Sequence, residues 1–176
     1  IFITLHQKGS HGPAYWKRYP HEFEYFTPVC RTSYVKACSS EMINNAYDNS
    51  LRYTDKLLAN IITQLNSLAD VDSVMFYVPD HGESLGEGGF FFHAAPNVIA
   101  PKEQFNIPFL VWLSSGFKQA HGLEGKAIIT QQTFPHDFVF HSIMGAFEMR
   151  SDIYKPEFDI FNFTAAGPSR IGGENL

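Results

Sequence analysis

The sequence predicts an α/β sandwich with a mainly parallel sheet. Three apolar runs, at residues 1–6, 73–78 and 107–113, are nearly continuous, which is typical of strands buried on both faces. Between Tyr47 and Leu68, apolar residues instead recur every three or four positions, which is the period of a helix. Strands that alternate with helices favour a sheet covered by helices. Because no internal repeat or linker is visible, we expect one domain.

A long polar loop over residues 7–38 separates the first predicted strand from the most regular helix. This helix begins at Ser39 or Ser40, either of which can cap it, and continues to about Leu68. A second helix is predicted to end near Phe147. Its start carries a cap residue, a first-turn proline and a first-turn acid (Thr133, Pro135 and Asp137).

The charge balance of the chain excludes a general nucleic-acid partner. Thirteen Lys and Arg residues stand against 18 Asp and Glu residues, for a net charge of −5, and no basic stripe offers a phosphate-binding surface. No apolar run reaches the ~20 residues of a transmembrane helix. The chain begins directly with a predicted core strand at Ile1, so we expect it to be a piece of a longer protein.

Two ionisable residues, Asp80 and His81, end the second predicted strand. A carboxylate beside an imidazole suits zinc or manganese better than calcium, although a loop hydrogen bond from the Asp is an alternative for the pair alone. Three further histidines, His6, His11 and His93, lie in loops expected at the same edge of the sheet. Together these residues favour a site for a metal or a phosphate group.

The glycine-rich loop after His81 does not match a nucleotide-binding motif. It lacks the Gly-Lys-Ser/Thr ending of a P-loop, and no dinucleotide fingerprint follows a strand. A catalytic triad built on Ser10 or Ser84 lacks the nucleophile-elbow pattern. The spacing of Cys30 and Cys38 leaves two alternatives open, unrelated thiols in a cytosolic protein or a small disulfide in an oxidising compartment.

Four stretches in this order, GSHGPAYWKRYP, NAYDNSLRYTD, DHGESLGEGG and APKEQFNIPFLVW, resemble the lipid A phosphoethanolamine transferases. These are membrane-anchored members of the alkaline phosphatase and sulfatase superfamily. The resemblance runs from about Ile1 to Phe161. It implies that residues 1–176 form the C-terminal portion of a single sulfatase-like catalytic domain, incomplete at its N-terminal side and without the membrane helices. It also implies a Cys30–Cys38 disulfide and a place at the periplasmic face of the bacterial inner membrane.

The resemblance implies a role for four residues of this chain. Asp80 and His81 correspond to a zinc-binding pair. His11 and His93 match two catalytic histidines that bind the phosphoethanolamine group or an extra zinc, and we expect His93 to donate a proton or contact the phosphate. The remaining family ligands, a Glu and a nucleophilic Thr, belong to a segment that these 176 residues do not contain.

The implied reaction moves phosphoethanolamine from phosphatidylethanolamine to lipid A, or to another envelope acceptor, through a threonine-linked intermediate. In this family the product weakens the binding of polymyxin and other cationic peptides. Since the nucleophile is absent, we expect this chain alone to be inactive. Two alternatives stay open: a related phosphoglycerol transferase, phosphodiesterase or sulfatase, and a catalytically silent zinc-binding fragment.

Two positions depart from the family pattern. Pro79 precedes Asp80 where a serine is common, and Ala94 follows His93 where a glycine is usual. We expect the first to affect how Asp80 is aimed and the second to narrow the site near His93. Neither departure removes a ligand.

Overall fold

The computed structural model describes residues 1–125 and 133–162. In this part of the chain three α-helices and four strands are joined by loops and short 3₁₀ turns. The helices are α1 (Ser40–Asn66), α2 (Ser115–Ala120) and α3 (Asp137–Ala146). The strands are β1 (Val74–Tyr77), β2 (Ser84–Leu85), β3 (Phe91–Phe92) and β4 (Leu110–Leu113). Strand β1 pairs with β4, and β2 pairs with β3 in an antiparallel register.

Helix α1 forms where the apolar period predicts it. The predicted cap is confirmed, because the Ser39 side chain accepts a hydrogen bond from the backbone N–H of Met42 at 3.3 Å. The buried face is concentrated in the first half of the helix and mixes apolar with polar side chains. Its buried members are Ile43, Ala46, Asn49, Ser50 and Thr54.

The chain divides into two compact units, each with its own buried side chains. The first comprises residues 1–70 and 75–112, and the second comprises 71–74 and 113–176. The core of the first unit consists of Tyr15, Val29, Cys30, Val35, Ile43 and Ala46. Buried apolar residues of the second include Phe117, Leu123, Phe138, Met144 and Ile160. A single domain over residues 1–176 stays a prediction.

The strand predicted for residues 1–6 is wrong for this structure. Those residues have no regular secondary structure, and the side chains of Ile1, Ile3 and Leu5 are exposed. A strand needs a neighbour that completes its hydrogen-bond ladder. Among the described strands, β1 pairs with β4 and β2 with β3, and the first apolar run joins neither pair.

The helix predicted near residue 133 starts later than its sequence signals indicate. Thr133 does not cap it; the cap position is His136, which makes no side-chain capping bond. The backbone N–H of Phe138 instead donates to the carbonyl of Pro135 at 3.1 Å, which tightens the first turn. Asp137 occupies the first turn as predicted.

The implied disulfide is present. Cys30 and Cys38 are joined, with their Cα atoms 5.8 Å apart, and they close the loop that precedes α1. Cys30 belongs to the core and Cys38 packs against it, so the bridge fixes this loop on the helix. No helix of the described residues is both long and apolar enough to cross a bilayer.

Candidate metal and phosphate site

The first segment of the site is the loop that carries His11. Its conformation is fixed at several points: the Ser50 hydroxyl on α1 donates to the Ser10 hydroxyl at 2.7 Å, and the Arg18 side chain donates to the carbonyl of His11 at 2.8 Å. Gly12 is buried against the rings of Phe92 and Tyr15, at distances where a side chain would clash. The loop therefore presents His11 from a well-anchored backbone.

The second segment is the β2–β3 hairpin with its flanking turns. Ser84 is opposite Phe92 and Leu85 is opposite Phe91 in the antiparallel register. His81 therefore precedes one strand of the hairpin, and His93 follows the other. Their rings are tilted against each other, with centroids 3.9 Å apart and an angle of 31° between the planes.

The three histidines form one group. Each of His11, His81 and His93 offers one ring nitrogen, and these atoms all lie within 4.8 Å of one another. The His11 ring centroid is 4.8 Å from that of His93 and 5.9 Å from that of His81. His6, which the sequence also places near this edge, is exposed and is not a member of the group.

Hydrogen bonds to Nδ1 determine which nitrogen of each ring carries the proton. Nδ1 of His11 lies 2.7 Å from the carbonyl of Gly12, and Nδ1 of His81 lies 2.9 Å from the carbonyl of Gly82. A carbonyl oxygen only accepts, so each of these Nδ1 atoms is the donor. The neutral rings therefore retain a lone pair on Nε2, which is the arrangement that metal-binding histidines adopt.

A buried carboxylate, Glu83, plays the same part for His93. Oε1 of Glu83 lies 2.8 Å from Nδ1 of His93, and its Oε2 accepts a hydrogen bond from the Tyr15 hydroxyl at 2.8 Å. Burial, together with the nearby Glu83 charge, raises the pKa of Tyr15 above its ordinary value, so the phenol stays protonated and donates. The sequence analysis did not single out Glu83 or Tyr15. The one available signal for Glu83 was its position two residues after His81.

Asp80 lies at the rim of the site. Its side chain is 86% exposed, and its Oδ1 is 3.8 Å from Nε2 of His81. Two ligands of one tetrahedral ion, each about 2.1 Å from it, are about 3.4 Å apart. The Asp80–His81 spacing is close to that value. This donor set of nitrogen and carboxylate oxygen atoms fits a divalent cation of the zinc type.

The predicted site residues therefore meet in one place. The structure brings His11, His81 and His93 together, with Asp80 beside His81 and His6 apart from them. Their roles as ligands, substrate contacts or proton donors stay predictions.

Comparison with known proteins identifies the family. The sulfatase family model matches residues 1–149. Phosphoethanolamine transferase EptA of Helicobacter pylori is 41% identical over 163 residues, which cover 91% of this chain and 30% of the relative. The chain thus spans about a third of the length of such curated relatives.

Two solved structures share the fold. The C-terminal periplasmic domain of phosphoethanolamine transferase EptC from Campylobacter jejuni is 42% identical, with a TM-score of 0.78, over 88% of this chain and 49% of that one. The soluble domain of lipooligosaccharide phosphoethanolamine transferase A from Neisseria meningitidis is 38% identical, with a TM-score of 0.82, over 86% and 47%. The α/β fold predicted from the sequence is thereby confirmed as sulfatase-like. The chain belongs to the sulfatase family, and its similarity within that family is to the phosphoethanolamine transferases.

Proposed function

We propose that this chain contributes the histidine-bearing part of the active site of a zinc-dependent phosphoethanolamine transferase. The observation that carries the proposal is the grouping of three imidazoles, each of whose Nδ1 atoms already has a hydrogen-bond partner on the protein. Such a group leaves three Nε2 lone pairs for a cation or for proton exchange with a phosphate ester. The similarity to transferases of phosphoethanolamine supports this use over a purely structural one.

Zinc is the cation that we expect here. Asp80 and His81 would hold it, since a carboxylate and an imidazole are both among its usual ligands. The resemblance to the family adds a Glu and a Thr from a segment outside these 176 residues. When bound, zinc lowers the pKa of a hydroxyl nucleophile and offsets negative charge on phosphoryl oxygens.

His11 and His93 would act on the substrate. The threonine oxygen gives up its proton and bonds to the phosphorus of the phosphoethanolamine group, the bond from phosphorus to the diacylglycerol oxygen breaks, and that oxygen takes up a proton. His93, with His11 beside it, would supply this proton, or contact a phosphoryl oxygen, from the protonated form of its ring. A phosphate or sugar hydroxyl of lipid A, or of another envelope acceptor, then displaces the threonine oxygen.

The proposal also includes the location. The C. jejuni relative is a periplasmic domain, and we expect this chain to act at the periplasmic face of the inner membrane. The disulfide between Cys30 and Cys38 suits that oxidising compartment. Masking of negative charge on lipid A would weaken the binding of polymyxin and other cationic peptides.

Zinc titration of the chain by calorimetry tests the metal assignment. We expect one-to-one binding that His81→Ala weakens by more than the 10–100-fold typical of losing an outer-sphere partner. His21→Ala is the matched control, because His21 is exposed and lies outside the histidine group. Equal affinity in the His81→Ala variant would contradict the assignment.

A transfer assay tests the reaction. In a full-length protein that contains the upstream segment, His93→Ala should abolish transfer of phosphoethanolamine from phosphatidylethanolamine to lipid A, whereas the 176-residue chain alone should be inactive. Hydrolysis of a phosphodiester or sulfate ester without transfer would instead identify another reaction of the superfamily. Zinc binding without turnover in the full-length protein would identify a silent module.

A further inference from the structure

Glu83 is a buried carboxylate at the centre of the site, yet its oxygens are occupied by protein donors. The residue is only 8% exposed, while the three histidines around it are exposed or half-buried. Its Oε1 accepts from the backbone N–H of Gly12 at 3.4 Å and lies 2.8 Å from Nδ1 of His93. Its Oε2 accepts from the Tyr15 hydroxyl at 2.8 Å.

We infer that Glu83 is a positioning residue that holds His93 in its Nδ1–H tautomer and joins the two histidine-bearing loops in register. The inference rests on the proposed function for its consequence, which is that Nε2 of His93 keeps its lone pair for a cation or for a proton that it takes up and passes on. It assigns Glu83 no contact with either of them.

The donors around Glu83 fix its role as an acceptor. The Gly12 N–H can only donate, and Tyr15 remains a phenol and donates as well. Oε1 of Glu83 therefore accepts a hydrogen bond from the Gly12 amide. We assign the proton between Oε1 and Nδ1 of His93 to the ring nitrogen, so that Nδ1 donates to Oε1. A hydrogen bond between a carboxylate and Nδ1–H fixes both the tautomer and the orientation of an imidazole.

The same carboxylate links segments that are far apart in sequence. Gly12 and Tyr15 come from the loop that carries His11, whereas His93 follows strand β3. The carbonyl oxygen of Gly12 also accepts a hydrogen bond from Nδ1 of His11 at 2.7 Å. A displacement of Glu83 would therefore change the distance between the His11 and His93 rings. A ligand that both rings contact depends on this distance.

Glutamine is the informative replacement at this position. Glu83→Gln keeps the shape of the side chain but has one acceptor oxygen and one NH₂ group, and it cannot accept from donors on both sides. Its NH₂ group faces either Tyr15 or Nδ1 of His93. In the second case the ring is favoured to move its proton to Nε2, and the nitrogen needed at the site is lost.

The test is nitrogen NMR of the histidine rings in the metal-free chain at mildly alkaline pH, followed by zinc titration of the same samples. The wild-type His93 should show a protonated Nδ1 and a lone-pair Nε2. Where the NH₂ group of Glu83→Gln faces Nδ1 of His93, Nε2 should gain the proton, and zinc affinity should fall 10–100-fold at a site that includes His93, as expected for an outer-sphere partner. Glu87→Gln is the matched control, because Glu87 lies in the same loop and accepts from Leu85 N–H rather than from a histidine; it should change neither readout.

Each outcome bears on the inference. A wild-type His93 protonated at Nε2 overturns it, even where Glu83→Gln fails to fold. A folded Glu83→Leu variant, which offers Nδ1 of His93 no acceptor, overturns it as well if it keeps the Nδ1–H tautomer in the wild-type proportion. A tautomer change on Glu83→Gln in a chain that binds no zinc supports the positioning role while the metal assignment under the proposed function fails.

Discussion

The side-chain oxygen of Asn49 on α1 accepts a hydrogen bond from the backbone N–H of Phe26 at 2.9 Å. The same oxygen accepts from the N–H of Tyr25, and the side-chain nitrogen donates to the carbonyl of Phe26 at 2.8 Å. Asn49 is fully buried. One carboxamide therefore satisfies three backbone groups of the loop that leads to the disulfide.

Asn49→Ala should destabilise the protein by about 2 kcal/mol, since it leaves two backbone donors and one acceptor without their partner in a partly buried place. The free energy of unfolding, measured by denaturant titration, checks this value. Asn60→Ala is the matched control on the exposed face of the same helix, and it should change the free energy by less than about 0.5 kcal/mol. Equal effects of the two substitutions would contradict the role assigned to Asn49.

Ala94 has a backbone φ of +69°, in the left-handed region that favours glycine. The strain for a residue with a Cβ is about 1–2 kcal/mol, against which the greater freedom of glycine in the unfolded chain costs about 0.4–1 kcal/mol. Ala94→Gly should therefore stabilise the protein by about 0.5–1 kcal/mol. Thermal unfolding would show a higher Tm.

The control for the Ala94→Gly prediction is a glycine substitution that should change the Tm in the opposite direction. Ala59 is an exposed residue inside α1, where glycine costs about 1 kcal/mol. Ala59→Gly should therefore lower the Tm while Ala94→Gly raises it. A lower Tm in both variants would mean that the left-handed backbone at Ala94 is not strained.

Asp159 makes the second unit sensitive to pH. Burial raises the pKa of this carboxyl above its ordinary value, although hydrogen bonds from the Tyr154 hydroxyl and the Phe161 N–H oppose the rise. The folded state therefore holds its proton to a higher pH than the unfolded state. Proton binding by Asp159 therefore adds to the free energy of unfolding. This added stability is fully present below the unfolded pKa of about 3.9, and it is lost as pH rises through the folded pKa.

Asp159→Asn should remove this pH dependence, because the amide does not titrate. The difference in free energy of unfolding between wild type and variant should move in favour of the variant as pH rises above the unfolded pKa of about 3.9. Tyr154→Phe removes a bond that lowers the pKa of Asp159, so it should extend the loss to higher pH. A difference that is constant with pH would show that the burial of Asp159 has no energetic consequence.

Local signals were sufficient for the elements that form within one short stretch. The apolar period and Ser39 predicted α1, because a helix is closed by contacts between residues three and four apart. The strand at residues 1–6 could not be judged in this way, since apolar composition does not reveal whether a neighbouring strand is present.

The site was predictable only in part. His11, His81 and His93 stood out because imidazoles in loops beyond strands are uncommon enough to attract notice. Glu83 did not, because its importance comes from the burial that follows from packing the Tyr15 loop against the hairpin. That arrangement is a long-range property of the fold.

Gly82 packs against another part of the chain so closely that any side chain would collide. A Cβ at this position would meet the carbonyl oxygen of Glu103, and the N–H of Gly82 donates to the carbonyl of Gln104 at 3.0 Å. Gly82→Ala should therefore push the turn away, move His81 from His93, and destabilise the protein by about 1–3 kcal/mol. Zinc affinity should fall in the folded fraction, because His81 accompanies the turn.

Gly89→Ala separates this steric effect from backbone strain. Gly89 has a φ of +84° in the same loop, but a Cβ there would meet no atom within 4 Å. Alanine at Gly89 should cost about 1–2 kcal/mol of conformational strain and leave zinc affinity unchanged. If both variants kept full zinc affinity, the contact between Gly82 and Glu103 would not be what aims His81 at the other histidines.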